Sequence, residues 1–246
     1  MIYETFEKKF ADYFEKYNIK YTDGIIKSFF IFYERLITEN RKYNLTSITH
    51  TDEVIVKHFI DSVVILNYVD IPCSAKIIDI GTGAGFPGLP LYIMRNDIDI
   101  TFLDSSAKKI KFIENTAKLM NLSGLNFICG RAEDIAKGEN RAAYDFAVSR
   151  AVAKLNILCE LAAPLVRKGG YYIAYKGKNA EAEITEAANA IKILGLEIAA
   201  IHKFNIETTE DNITEENKRA LIIIKKIKNT VSIYPRNYAE IIKNPL

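Results

Sequence analysis

One stretch of the chain decides its fold: Lys76-Ile77-Ile78-Asp79-Ile80-Gly81-Thr82-Gly83-Ala84-Gly85-Phe86-Pro87-Gly88. A short apolar run rich in β-branched residues breaks into alternating glycines, which predicts a β-strand followed by a tight turn into a helix. Glycine lets the backbone approach a ligand closely, and the first turn of the helix offers unpaired N–H groups. The stretch therefore predicts a site for a nucleotide-like cofactor, and a tight turn without a ligand is the alternative.

The same stretch contains a GxGxxG pattern from Gly83 to Gly88, which is weak evidence for a dinucleotide on its own. If Gly83 were the first glycine of that pattern, Asp79 and Thr82 would lie in the buried part of the strand, where unpaired polar groups are costly. Ending the strand near Ile80 avoids this cost. Asp79 is then expected at the mouth of the site, as an acid suited to an ammonium group rather than to a pyrophosphate.

A second acid, Asp104, ends the next predicted strand. In doubly wound folds this position meets a ribose, and a carboxylate can accept hydrogen bonds from two hydroxyl groups at once. The alternative is that Asp104 caps a helix that begins near Ser105 or Ser106. The two roles are compatible.

Size and composition indicate an ordinary globular protein. The chain has 246 residues, of which 49% are apolar, enough for one main domain and a modest extension. No run approaches the ~20 apolar residues of a membrane span, and no signal core stands at the start, so we expect a cytoplasmic protein, a monomer, without a membrane partner. Cys73, Cys129 and Cys159 lie far apart, which argues against a disulfide framework or a metal site and favours a buried apolar role for Cys159.

Periodicity divides the chain into a helical start and an alternating remainder. Aromatic residues at helical spacing predict core-facing helices before Lys76, the third of them from Thr51 or Asp52 to about Tyr68. The predicted strands are 76–80, 98–103, 125–129, 145–148 and 171–175, the predicted helices 88–95, 106–121, 154–166 and 179–194, and 196–206 and 218–227 are expected to pair antiparallel. A mostly parallel sheet with an antiparallel final strand is the Rossmann-like α/β fold of class I S-adenosylmethionine methyltransferases.

We expect three regions: an N-terminal helical extension (1–72), a cofactor-binding methyltransferase domain (73–228) and a basic C-terminal tail (229–246). From residue 218 to the end, seven basic residues stand against one acid, whereas acids outnumber bases nine to two over 181–217. The basic end is typical of a surface that faces a polyanion, and a solvated strand and tail is the alternative.

A set of short motifs resembles one family. The chain is similar, from about residue 40 to its end, to the bacterial small-subunit rRNA guanine-N7 methyltransferases of the RsmG or GidB type. The motifs are Asn44-Leu45-Thr46-Ser47, His58-Phe59-Ile60-Asp61-Ser62, the glycine stretch, Leu103-Asp104-Ser105, Gly130-Arg131-Ala132-Glu133, Ser149-Arg150-Ala151, Lys176-Gly177 and Lys243-Asn244-Pro245-Leu246. The chain departs from the family pattern at Ala239-Glu240-Ile241, where a Gly-x-Pro step is usual, and at Glu39, where a tryptophan is common.

The resemblance implies methyl transfer from S-adenosylmethionine to N7 of a guanine in 16S rRNA near the decoding site, with the 30S subunit as partner. It implies cofactor contacts by Gly81, Phe86, Ala132, Glu133 and Arg150. The general plan of methyltransferases adds Gly83 and Asp104 to the expected cofactor contacts. Asp79 is added because the strand is expected to end near Ile80. Candidate RNA contacts are the basic residues of the polar loop and of the carboxyl-terminal half: Arg41, Lys42, Lys176, Arg219, Arg236 and Lys243.

The chemistry of guanine N7 is consistent with these residues. N7 has a lone pair and no proton, so attack on a sulfonium methyl group needs alignment and charge placement rather than a general base. We therefore predict no catalytic acid or base, with Arg150 as an electrostatic contributor. The chain has Ser149-Arg150-Ala151-Val152 where exocyclic-amine methyltransferases commonly carry an Asn/Asp-Pro-Pro-aromatic motif, and Cys159 lacks the setting of a C5-methylation nucleophile.

Arg150 is expected to bind the methionine carboxylate or the guanine O6 and a nearby phosphate, and an ion pair with Asp79 or Asp145 is the alternative. His58, Asp61 and Ser62 share a helix face, where a helix surface near the RNA is favoured over a hydrolase triad. Two rival functions remain open at this point: an NAD-dependent oxidoreductase and a non-catalytic RNA-binding module.

Overall fold

A seven-stranded sheet in the order β3-β2-β1-β4-β5-β7-β6 forms the centre of the computed structural model, which describes residues 1–208 and 215–246. The acidic stretch 181–217 falls partly outside these residues. The strands are β1 (Lys76–Ile80), β2 (Asp99–Asp104), β3 (Leu125–Cys129), β4 (Tyr144–Arg150), β5 (Val166–Lys176), β6 (Leu196–Asn205) and β7 (Lys218–Lys226). The first five are parallel, and β7 runs antiparallel to both β5 and β6. The predicted α/β fold with its antiparallel final strand is confirmed.

Helices cover both faces of this sheet. They are α1 (Tyr3–Lys16), α2 (Asp23–Tyr43), α3 (Thr51–Glu53), α4 (Asp61–Val63), α5 (Gly88–Met94), α6 (Ala107–Leu119), α7 (Ala132–Ile135), α8 (Leu155–Ala162), α9 (Ala180–Glu186), α10 (Ala188–Ile193) and α11 (Tyr238–Lys243). Strand β1 is buried on both faces at Ile77 and Ile78, which explains its continuous apolar run.

The aromatic stripes of the N-terminal helices form core, as predicted. Phe6, Phe10 and Phe29 are fully buried, and the cluster continues through Phe32, whose ring centroid lies 5.1 Å from that of Phe86 in the glycine stretch. The helical extension and the sheet thus share one apolar core. The boundaries at 72 and 228 stay a prediction.

The third helical segment contains a feature that periodicity did not reveal. Between α3 and α4 the chain forms a π-helical stretch, Val54–Ile60, and a 3₁₀ turn, Val64–Asn67, follows α4. The predicted length was close to the observed one. In a π-helix each backbone hydrogen bond spans one more residue than in an α-helix, which widens the turn. Such π-helical stretches often occur at functional sites.

Strand β5 is longer than the predicted 171–175, because it begins at Val166, before Gly169 and Gly170. A Cβ atom on Gly170 would lie 2.4 Å from the carbonyl oxygen of Asp145, so only glycine allows this approach of β5 to β4, where the register shifts. The preceding helix therefore ends at Ala162 instead of 166. The predicted helix 179–194 is divided at Ala187 into α9 and α10.

The C-terminal tail folds onto the sheet domain. Helix α11 occupies the place of the family's Gly-x-Pro step, its first turn is capped by Asn237, whose Oδ1 accepts a hydrogen bond from the Glu240 N–H at 2.9 Å, and Ile241 is fully buried. Ala239 and Ile241 are compatible with this helix, whereas the glycine and proline that the resemblance leads one to expect here would disfavour it.

None of the helices in the described part of the chain is long and apolar enough to cross a membrane. Residues 1–208 and 215–246 also contain no group of three or more His, Cys, Asp or Glu side chains placed to hold a metal ion.

Gly88→Ala tests the packing beneath the glycine stretch. A Cβ atom there would lie 2.7 Å from Asp79 Oδ2 and from Phe102 Cε1, so we expect a loss of roughly 1–3 kcal/mol in the free energy of unfolding. The measurement is urea denaturation. Gly24→Ala is the control, since the nearest atom to its Cβ would be Thr22 Oγ1 at 3.8 Å, and an equal loss in both variants would contradict the packing argument.

Candidate active site

The glycine stretch forms a loop at the switch point of the sheet, between the carboxyl ends of β1 and β4. In open α/β sheets this is where ligands bind. Gly81, Gly83 and Gly85 adopt φ angles of 69°, 61° and 98°, which only glycine adopts without strain. The N–H groups of Gly81 and Thr82 donate to the carbonyl of Leu103 at 2.8 and 3.0 Å, so the loop is fixed to β2.

Asp79 lies beneath this loop. It is fully buried, and its Oδ2 accepts hydrogen bonds from Thr82 Oγ1 at 2.6 Å and from the Gly88 N–H at 2.9 Å. The expectation that Asp79 stands at the mouth of the site is therefore wrong, because the side chain is turned inward to hold the loop. Burial raises the pKa of Asp79 to about 6. Within residues 1–208 and 215–246, no hydrogen-bond partner reaches its Oδ1.

Asp104 joins the glycine loop to the start of α6. Its Oδ2 accepts from the Gly83 N–H at 3.0 Å and its Oδ1 from the Ser106 N–H at 2.9 Å, so Asp104 fixes the turn before α6, whose N-cap is Ser106 and not Asp104. Lys109 Nζ lies 3.7 Å from Oδ2. Because each carboxylate oxygen has two lone pairs, Asp104 keeps acceptor capacity for hydroxyl groups.

A small pocket of about 210 Å³ opens beside Asp104. The structure brings four of the predicted cofactor residues together on its walls: Gly81, Asp104, Ala132 and Glu133. Apolar side chains from Ile80, Leu103 and Leu161 complete a surface suited to a flat ring. Three further residues line the pocket that sequence reasoning did not single out: Ser105, Val152 and Tyr238. Ser105 and Val152 lie close in sequence to predicted site residues, which could have indicated them. Tyr238 comes from the distant tail, and no local signal connects it to the pocket.

Phe86, another predicted cofactor residue, is placed differently. Its ring packs inward against His58, with ring centroids 4.5 Å apart, and against Phe32. The Arg150 guanidinium lies 5.0 Å from the Phe86 ring centroid, within cation–π range. Phe86 thus supports Arg150 from below, and it does not line the small pocket.

Arg150 forms an ion pair that the sequence did not predict. Its Nη1 lies 3.0 Å from Asp61 Oδ2, and Arg219 Nε lies 3.6 Å from Asp61 Oδ1. The expected alternative partners were wrong: Asp145 pairs with Arg167 instead, at 2.5 Å. Burial raises the pKa of Asp61, and the two arginines act against that rise.

Asp61 and Ser62 are buried and His58 is partly buried, so this helix face packs inward, which corrects the expectation of a helix surface. Burial, and then the charge of Arg150, lower the pKa of His58 to about 3, so the ring is neutral at physiological pH. Its Nε2 lies 2.8 Å from Thr46 Oγ1. The Asn40 side chain holds Thr46 through two backbone hydrogen bonds of 2.9 and 2.8 Å, which explains why the Asn44–Ser47 and His58 motifs occur together.

A larger cleft of about 620 Å³ lies above this buried ion cluster. Among the residues that the structure describes, five basic and two acidic side chains line it, which gives this lining a net positive character. The basic residues are Lys57, Arg150, Lys154, Lys176 and Arg219.

The predicted RNA contacts separate in space. Lys176 and Arg219 line the cleft, although Lys176 Nζ already pairs with Glu183 at 2.7 Å. Arg41 and Lys42 are exposed at the end of α2. In the tail, Lys243 is exposed, whereas Arg236 is engaged by the buried Glu160.

Comparison with known proteins decides the family. A family model described as rRNA small subunit methyltransferase G matches residues 25–214. The chain belongs to this family. Among relatives named ribosomal RNA small subunit methyltransferase G, that of Desulforamulus reducens is 42% identical and covers 92% of each chain, and that of Clostridium botulinum (strain ATCC 19397 / Type A) is 48% identical and covers 88% of this chain and 89% of its own.

Solved structures show that this member of the methyltransferase G family has the class I methyltransferase fold. A methyltransferase in complex with a methyltransferase activator from Haloferax volcanii aligns with a TM-score of 0.55 and 15% identity, over 80% of this chain and 98% of its own. Geranyl diphosphate C-methyltransferase from Streptomyces coelicolor A3(2), solved with S-adenosyl-L-homocysteine, aligns with a TM-score of 0.51 and 13% identity, over 66% of this chain and 76% of its own.

Cys159 is fully buried, as predicted, and burial raises its pKa to about 12.

Arg236→Gln tests whether Arg236 is a structural residue. Its Nε and Nη2 donate to the two carboxylate oxygens of Glu160 at 2.8 and 2.6 Å, so the change would leave a buried carboxylate unpaired. We expect a loss of about 3–5 kcal/mol in the free energy of unfolding, measured by urea denaturation. Arg167→Gln, which removes the exposed pair with Asp145, should cost about 0–1 kcal/mol. Comparable losses in the two variants would contradict a structural role for Arg236.

Proposed function

We propose that this chain transfers the methyl group of S-adenosylmethionine to N7 of a guanine in small-subunit rRNA. The observation that carries the proposal is the meeting of two cavities. Val152, in the loop after β4, lines both the small pocket and the basic cleft. A methyl group carried by a cofactor in the pocket would therefore face a base held in the cleft.

The small pocket fits S-adenosylmethionine. Asp104 supplies acceptors for ribose hydroxyl groups, and the apolar walls suit adenine. Asp79 does not line the pocket, and it supports the site indirectly by holding the glycine loop through Thr82 and Gly88.

The basic cleft fits RNA and its chemistry fits N7. When bound, S-adenosylmethionine supplies an activated methyl group on a sulfonium, and a guanine N7 needs no deprotonation before attack. His58, which lines the cleft, is neutral, and its two ring nitrogens face Thr46 Oγ1 and the Arg150 guanidinium. Arg150 and Arg219 place positive charge where a guanine O6 or a phosphate would lie.

The remaining parts of the proposal concern the setting. We place the protein in the cytoplasm as a monomer, acting on 16S rRNA in the 30S subunit. The family name supports the ribosomal substrate, since it specifies small-subunit rRNA.

The decisive experiment maps the methylated nucleotide. Small subunits from cells that lack this protein are incubated with the enzyme and labelled S-adenosylmethionine, and the product is located by N7-specific strand cleavage. We expect one labelled guanine. Label on an amino group or on a pyrimidine would overturn the target assignment, and binding of NAD without transfer of label would favour the oxidoreductase.

Cofactor affinity should depend on the ionisation of Asp79, because the ionised carboxylate accepts the hydrogen bonds from Thr82 and Gly88 that hold the glycine loop in place. Its pKa of about 6 means that the carboxylate is largely protonated at pH 5 and ionised at pH 7, so the Kd of S-adenosylmethionine should fall as pH rises across this range. Calorimetry at both pH values measures the change. Asp79→Asn keeps an acceptor for Thr82 and Gly88 and should remove the dependence, whereas an unchanged pH slope in that variant would exclude Asp79 as its source.

RNA affinity should depend on the cleft. Arg219→Gln should weaken RNA binding, make its dependence on salt concentration less steep by about one unit of slope, and leave cofactor affinity intact. Filter binding over a salt series measures both quantities. Lys228→Gln removes an exposed charge beyond the other end of β7 and is the matched control. Equal slopes for the two variants would argue against the cleft as the RNA site.

A further inference from the structure

The C-terminal tail contributes a wall to the small pocket. Tyr238, the first residue of α11, lines the pocket together with Asp104, Ala132 and Glu133. Its side chain is half-buried, and the Arg131 guanidinium lies 5.7 Å from its ring centroid. An aromatic side chain therefore stands where the structure gathers the predicted cofactor residues.

Three anchors hold the tail against this pocket. The Arg141 guanidinium donates to the carbonyl oxygens of Thr230, Val231 and Tyr234 at 2.8, 3.1 and 2.9 Å. The Arg236 guanidinium and backbone N–H both donate to Glu160.

The third anchor is Ile241, which is fully buried in the core cluster on the α8 side of the sheet. The anchors lie on both sides of Tyr238 in the sequence, so the ring is held in place before any ligand arrives. Preorganised aromatic surfaces bind at low entropic cost.

We propose that Tyr238 is a cofactor-binding residue that contacts the adenine ring of S-adenosylmethionine, and that the tail is a fixed wall of the cofactor pocket. The inference rests on the proposed function. Asp104 marks the ribose side of the pocket, and Ala132 and Glu133 line the pocket beside it. A flat purine between these groups matches the face of a tyrosine ring.

This assignment separates the tail from RNA binding. Of the residues that line the basic cleft in the described chain, none comes from 229–246. A tail that binds the cofactor and a tail that binds RNA predict different effects of the same substitution, so the two roles can be distinguished.

Tryptophan fluorescence gives a direct test, because the chain contains no Trp. In Tyr238→Trp the single indole should be quenched by S-adenosylhomocysteine and by adenosine, but not by methionine. Tyr68→Trp is the matched control: Tyr68 is also partly exposed and stacks on His202 in the edge strand β6, and it does not line the small pocket. An unquenched indole at 238, in a variant that binds S-adenosylhomocysteine by calorimetry, would overturn the inference.

Affinity measurements give the second test. Tyr238→Ala should raise the Kd of S-adenosylhomocysteine by roughly tenfold or more, Tyr238→Phe should bind like the parent protein, and RNA affinity and its salt slope should stay unchanged in both. A loss of RNA affinity with normal cofactor binding in Tyr238→Ala would assign the tail to RNA instead. Failure of the parent protein to bind the cofactor would refute the proposed function, whereas normal binding by both parent and Tyr238→Ala would refute this inference alone.

Discussion

A carboxylate buried beneath the glycine loop holds the site in shape. A buried ionisable group is costly unless hydrogen bonds compensate, and Asp79 Oδ2 obtains two of them, from Thr82 and Gly88. These bonds close the loop over the end of β1 and fix the start of α5. The Gly83 N–H then points at Asp104, so the two acids of neighbouring strands are connected through one short loop.

A second buried carboxylate, Asp61, connects the N-terminal layer to the sheet. It comes from α4, and it faces Arg150 at the end of β4 and Arg219 in β7. Because the cluster is nearly enclosed, both arginines keep their orientation at the floor of the cleft. The π-helical stretch before α4 belongs to the same local structure, since it carries His58, which packs on Phe86 and bonds to Thr46.

Much of the fold could be predicted because strands and glycines leave strong local signals. The parallel core, the antiparallel end and the aromatic core of the first helices follow from period and spacing, and Gly81, Asp104, Ala132 and Glu133 do meet in one pocket. Three features could not be predicted, because each depends on which distant elements pack together. They are the inward orientation of the Asp79 side chain, the pairing of Arg150 with Asp61, and the position of Tyr238 in the pocket wall. The early start of β5 was not predicted either, because the close approach that Gly170 allows between β5 and β4 depends on their packing.

The two cavities are built from different parts of the chain. The small pocket takes its walls from the loops after β1 to β4, from α8 and from the tail, whereas the cleft adds the N-terminal layer through Ile48, Lys57, His58 and Asp61. Methyl donor and target are thus recognised by surfaces that share little more than Val152. Substitutions in the N-terminal layer can alter the choice of RNA while the donor site stays intact, which gives this architecture a route by which new nucleic-acid targets could evolve around an unchanged source of methyl groups.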